Sequence, residues 1–151
     1  MLRIKIEMKI VIFLISVLTL AITIRFYFLG KESQQMIVKL SAPKEHLEPC
    51  ESSDHCFHSH DQTEKIKGIN LEQFLKIKST MEEMGFNKVV ALDNYLHYTA
   101  ISGIFGFVDD IEFFINKTTH ELEFRSKSRV GKSDLGANKK RVQAILEQAM
   151  N

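Results

Sequence analysis

The stretch "IVIFLISVLTLAITI" (residues 10–24) runs without a single charge, and "FYFL" (26–29) extends it past Arg25. Together they make about 20 apolar residues, or about 30 Å of helix, enough to cross the hydrocarbon core of a bilayer. Such a segment is apolar on every side and has no place on the surface of a small soluble domain. It sets the first 29 residues apart and leaves the rest of the 151-residue chain for one folded unit. Arg25, near the end of the run, has a stem long enough to reach the headgroups. A cleaved signal peptide is the rival reading. Thr19-Leu20-Ala21 loosely fits the small-x-small rule, but the mature chain would then begin "ITIRFYF". No Cys lies just after the run, which argues against a lipoprotein. The reading adopted is a retained, single-pass anchor that uses residues 10–29 as its membrane contact. Basic residues on both sides (Arg3, Lys5, Lys9 before; Arg25, Lys31, Lys39, Lys44 after) give the positive-inside rule little grip. The extreme N-terminal position favours a cytoplasmic N-terminus and an extracytoplasmic body.

Residues 30–69 read as a tether with a Cys-containing loop, because Gly, Pro, Ser and charged residues dominate and only "MIVKL" (36–40) suits a short strand. Residues 70–151 read as the folded domain. Asn70 and Gln73 form a capping box for a helix over 71–84, with Leu71, Phe74, Leu75, Lys78, Met81 and Met84 at helical spacing and Gly85 as its stop. Strands are expected over 88–92, 95–102, 106–115 and 121–128, separated by turn residues too few for parallel crossovers. A last helix over 135–150 presents Leu135, Val142, Ile145, Leu146 and Ala149. The expected fold is α+β: a small antiparallel sheet of about four strands with helices on one face, preceded by a transmembrane helix. A net charge of +1 supplies no global field for nucleic acid, so nucleic acid is excluded as a partner.

Three segments carry candidate chemistry. In "CESSDHCFHSH", Cys50 and Cys56 are close enough for a loop disulfide, the preferred reading for an exported body. Reduced thiols, or a metal held with Asp54, His55, His58 and His60, are the alternatives, although the spacing matches no usual structural-zinc pattern. In "GFVDDIEFFI", strand alternation puts Asp109 in an apolar row with Ile111, Phe113 and Ile115, while Asp110 and Glu112 share the other face. A carboxylate in an apolar row needs a partner, either a structural hydrogen bond or a role in acid–base chemistry. In "ELEFRSKSRVGKSDLGANKKR", Arg125 and Arg129 lie opposite Asp110 and Glu112, followed by Lys132 and a turn over 133–136 whose free N–H groups open the last helix. Two outcomes are open: an anion pocket at that helix start, or mutual neutralisation in which acids and arginines weld the helix to the sheet. Asn138 falls on the buried stripe, where its amide needs partners that Arg141 and the sheet can supply.

"PCESSDHC", "DNYLHY", "FGFVDDIEFFI" and "RSKSRVGKSDLGANKKRV" together resemble the domain of unknown function 1499 family, over roughly residues 48–146. Lys132 stands where the family pattern has an aromatic, and His55, His58 and His60 where it has small or polar residues. The resemblance implies envelope and plastid homologues, often membrane-attached, and no assigned reaction.

The leading expectation is a non-catalytic binding or structural module of the cell envelope. Its site would comprise Asp109, Asp110, Arg125, Ser126, Arg129, Lys132, Ser133, Asp134, Asn138 and Arg141, facing a small anion or an envelope protein. The alternatives are a hydrolase-like enzyme with Asp109 or Asp110 as base beside Arg125 and Arg129, and metal handling by the Cys/His loop. No nucleophile elbow, Walker loop or HExxH motif is present, so no catalytic residue, resident metal or cofactor is assigned.

Overall fold

In the computed structural model the described residues are 2–38, 40–61 and 66–151, without the side chains of 2–5 and 61. Lys39 and residues 62–65 of the expected tether lie outside them, as do the Arg3 and Lys5 side chains. Helix α1 (Leu2–Gln35) is about 51 Å long at 1.5 Å per residue, so its last turns outreach a hydrocarbon core of about 30 Å. The span Ile6–Gln35, whose most apolar 18-residue stretch has a mean hydropathy of 2.3, is long and apolar enough to cross a membrane, a character it shares with signal sequences.

Among the described residues the body is an antiparallel sheet of six strands, two more than the sequence suggests, in the order β1-β6-β5-β4-β3 with β2 also beside β6. The strands β3 (Asn87–Ala91), β4 (Tyr95–Ile101), β5 (Val108–Ile115) and β6 (Glu121–Ser128) form the expected meander. The two additional strands come from the segment read as tether: β1 (Cys56–His58) pairs with Arg125–Lys127 of β6, and β2 (Ile66–Lys67) with Glu121 and Leu122. Without them β6 would expose a row of unpaired N–H and C=O groups. No strand covers Met36, Ile37, Val38 or Leu40 among the described residues.

Helix α2 (Leu71–Glu83) begins with the expected capping box, Asn70 Oδ1 accepting from Gln73 N at 2.9 Å and Gln73 Oε1 from Asn70 N at 3.0 Å. Its buried face is Phe74, Ile77, Thr80 and Met81. Leu71, Leu75 and Met84 are exposed, so the stripe is rotated from the one the sequence suggests. The Phe74–Ile77–Met81 spacing of three then four residues follows the helix pitch and wins the contact with β4 and β5. Helix α3 (Ala137–Met150) starts two residues later than expected, and Leu135 lies outside it. The Asp134 carboxylate accepts from Gly136 N (2.9 Å) and Asn138 N (2.8 Å), so the first free N–H groups are satisfied there. Asn138, Val142, Ile145 and Ala149 face the core. Both helices cover one face of the sheet, against Leu96, Tyr98, Ile111, Phe113, Leu122 and Phe124.

Candidate functional site

Strand alternation sends Tyr95, His97, Asp110, Glu112, Glu123 and Arg125 to the sheet face away from the helices, and this face is not solvated. His97 is 1 % exposed, Glu112 3 %, Glu123 4 %, and Asp110 and Arg125 6 % each. Their cover is the segment 36–48, which crosses the face as a strap without strand pairing among its described residues. Leu47 fixes the strap to Tyr95 and Phe114, and backbone groups of the strap bond to side chains of the body, Glu45 O among them, which accepts from Asn116 Nδ2 at 3.3 Å. Arg129 Nη1 donates to Met36 O (2.9 Å), Arg125 Nη1 to Glu48 O (3.1 Å), and Leu47 N to Glu123 Oε2 (2.8 Å).

Beneath the strap the charges are paired as the strand register dictates. Glu112 stands directly opposite Arg125 and accepts its Nε at 2.5 Å, while its other oxygen takes the Tyr95 hydroxyl at 2.7 Å. Asp110, opposite Lys127, is held diagonally by both forks of Arg129 at 2.8 Å each and by His97 Nε2 at 2.8 Å. Burial pushes the Asp110 carboxyl up, but the hydrogen bonds from Arg129 and His97 outweigh it and hold the group below its ordinary value. The Asp110 bond in turn raises Arg129. Burial, with the Glu112 carboxylate beside it, raises the Tyr95 hydroxyl.

The remaining predicted residues lie on the helix face. Asp109, 7 % exposed, accepts from Arg141 Nη2 at 2.7 Å, which is the partner its apolar row requires. Asn138 is fully buried and fully satisfied: Oδ1 accepts from Ser126 Oγ (2.6 Å) and Arg141 Nη1 (2.7 Å), and Nδ2 donates to His55 O (3.1 Å) and Ser128 Oγ (3.0 Å). Lys132 and Ser133 are exposed on the turn before α3.

The structure therefore divides the expected site. Arg125 and Arg129 are not gathered with Lys132 and the 133–136 turn, because Arg125 of β6 and Arg129 just beyond it bond Glu112 and Asp110 on the face away from α3. Nor do they weld the last helix: they bind the strap, and α3 is tied to the sheet by Arg141 and Asp109. A cavity of about 180 Å³ does lie beside Arg125, Lys127 and Arg129, but Glu48, Asp110 and Glu112 line it equally. A larger opening of about 590 Å³, bordered by Ile69, Leu71, Asn94, Ile115, Lys117 and His120, contains none of the predicted site residues. Cys50 and Cys56 form a disulfide.

Sequence reasoning missed His97 and Tyr95 as members of the charged layer. Their signal is the alternation itself, since Tyr95 and His97 occupy every second position of β4 and point with Asp110 and Glu112. The strap carries no comparable signal.

The end of α1 is built into the body. Ser33, fully buried, accepts from Val108 N at 2.7 Å and donates to Val108 O at 3.2 Å. Gln34 Nε2 donates to Gly106 O at 2.9 Å, and Phe26 stacks on Phe105 with ring centroids 5.4 Å apart. A Cβ on Gly30 would collide with the Phe105 carbonyl oxygen, so this close approach requires glycine.

A comparison with family sequence models matches residues 46–148 to one described as a protein of unknown function (DUF1499). No curated protein matches the chain.

Proposed function

This chain belongs to the family of proteins of unknown function DUF1499, and from that premise we propose a single-pass membrane protein. Its retained N-terminal helix holds a non-catalytic binding or structural module against the extracytoplasmic face of a bilayer. The observation that carries this reading is the docking of α1 on the β4–β5 turn through Phe26, Gly30, Ser33 and Gln34. Cleavage after Ala21 would leave Ile22, Ile24 and Phe28 on a helical stub, all exposed. Within a bilayer the same side chains are at home. The Cys50–Cys56 disulfide suits an oxidising compartment. Two aliphatic side chains are exposed near the docked helix: Ile104 (88 %), beside Phe105, and Leu135 (90 %), which borders a cavity with Phe26 and Leu29. Leu135 also holds φ at 53°, a left-handed backbone unusual for a bulky residue. A body lying on the membrane gives both side chains an apolar medium.

The charged layer supports a mechanical role in preference to catalysis or capture of a small anion. A general base must direct a lone pair at substrate, whereas Asp109 and Asp110 are each committed to a guanidinium. An anion would have to displace Asp110 from Arg129, or Glu112 from Arg125, beneath the strap. The partner that fits this arrangement is an envelope protein recognised by the body's outer surface.

Intact-mass analysis of the protein extracted from membranes tests the reading. The expected result is a chain that retains residues 10–29, resists alkaline extraction, and is digested by protease added to the extracytoplasmic side. A mature chain starting after Ala21 and recovered in the soluble fraction would overturn it.

A further inference from the structure

We propose that His46, His60 and Glu123 form a binding site for one divalent transition-metal ion of the zinc, cobalt or nickel class. The three residues come from separate elements: the strap, the 3₁₀ turn after β1 (Ser59–Asp61), and β6. Their nearest ligand atoms all lie within 4.8 Å of one another. Glu123 is buried, and Leu47 N holds its Oε2 at 2.8 Å, which leaves Oε1 aimed at His46 Nδ1, 2.5 Å away. This is the kind of backbone support that orients a ligating carboxylate. On the other side, His60 N donates to His58 Nδ1 at 3.0 Å and the two rings lie 4.4 Å apart, which fixes the turn that presents His60.

Two imidazoles and one carboxylate form a borderline donor set suited to zinc and its neighbours, whereas magnesium and calcium take oxygen-only shells. Tetrahedral ligation with metal–ligand bonds of about 2.0–2.2 Å sets the donor atoms about 3.4 Å apart, so the widest separation must close by up to roughly 1.4 Å while the His46–Glu123 pair opens to admit the ion. The exposed His60 ring is free to make that shift. A fourth position remains on the solvent side, since His46 is exposed as well. The sequence-based metal alternative combines Cys50 and Cys56 with Asp54, His55, His58 and His60, and the disulfide removes both thiolates from ligation. Glu123 and His46 lie outside the histidine-rich motif and reach it only through the fold. An ion here would rivet the strap to the outer edge of the sheet.

The test uses the full-length, oxidised protein in detergent, titrated with Co²⁺ and then Zn²⁺. One equivalent of Co²⁺ should produce ligand-field absorption that Zn²⁺ displaces, and Zn²⁺ should raise the melting temperature. His60→Ala removes an exposed ligand without touching the core. It should leave the metal-free melting temperature unchanged, weaken Zn²⁺ binding at least about tenfold and abolish the zinc-dependent stabilisation. His120→Ala, on the β5–β6 turn, should bind like the unaltered chain. Binding without a defined stoichiometry, or undiminished binding by His60→Ala, would overturn the proposal.

Discussion

The two faces of one sheet are buried by opposite means. On one, α2 and α3 lay Phe74, Ile77, Met81, Val142 and Ile145 on the apolar side chains of β4, β5 and β6. On the other, a strap without helix or strand among its described residues closes over Asp110, Glu112, Glu123, Arg125 and His97. The helix-covered face gains from area alone, at roughly 25 cal/mol per Å², and tolerates approximate shapes. The strap-covered face is stable only where each charge has its partner, since an unpaired buried ion costs far more than the pair contributes. Its strap is held by side chains bonding to backbone, so the acids and arginines perform the satisfaction that a neighbouring strand would otherwise give.

The largest expected effect separates these two modes. Arg125→Met leaves Glu112 buried with only the Tyr95 hydroxyl and frees the carbonyl of Glu48, and should cost about 3–5 kcal/mol in unfolding free energy. Arg125→Met combined with Glu112→Leu should recover most of that loss, because nothing charged is then left without a partner. Denaturant unfolding of the single and double variants gives the coupling directly. Equal losses in single and double variants would mean that the charged layer contributes through attraction and not merely through completeness.

The contrast also explains what the sequence made legible. The apolar face announces itself: a capping box at Asn70, three-and-four spacing from Phe74, and alternation along "VDDIEFFI". The pairing of β5 with β6, which sets Glu112 against Arg125, follows from the same alternation and a short turn. The strap was not legible, because residues 36–48 have no period and their contacts are backbone atoms meeting side chains distant in sequence. Pooling Arg125 and Arg129 with Lys132 failed for a related reason. Residues close along the chain need not be close in space, and Arg125 and Arg129 carry their guanidinium groups to the far side of the sheet, against Glu112 and Asp110.

Acid should weaken the strap-covered face before the helix-covered one. Asp110 is depressed in the folded state below its ordinary value of 3.8. A group so depressed contributes stability that is complete above the unfolded value and is lost as pH falls through the folded one. Stability should therefore decline on the acid side below about that ordinary carboxylate value, with the Met36 end of the strap loosening as Arg129 loses its anchor. The loss should be smaller than that from Arg125→Met, since a protonated carboxyl still accepts hydrogen bonds. Hydrogen exchange resolved by segment is the measurement: strap amides should lose protection at a pH where those of α2 keep theirs. Simultaneous loss would show that strap and core unfold as one unit.

The smallest effect probes a place where the helix-covered face also uses polar groups. Ser126 Oγ is fully buried between Asn138 Oδ1, to which it donates, and Arg141 Nη1, from which it accepts at 3.2 Å. Ser126→Ala removes both bonds. It strands neither neighbour, because Asn138 Oδ1 keeps Arg141 at 2.7 Å and Arg141 keeps Asp109 at 2.7 Å. The expected cost is about 1 kcal/mol, the usual net worth of a hydrogen bond whose partners stay satisfied. A cost near that of Arg125→Met would mean that Asp109, Arg141, Asn138 and Ser126 act as a single network as demanding as the charged layer. The two faces would then differ in what covers them but not in how strictly their polar groups must be paired.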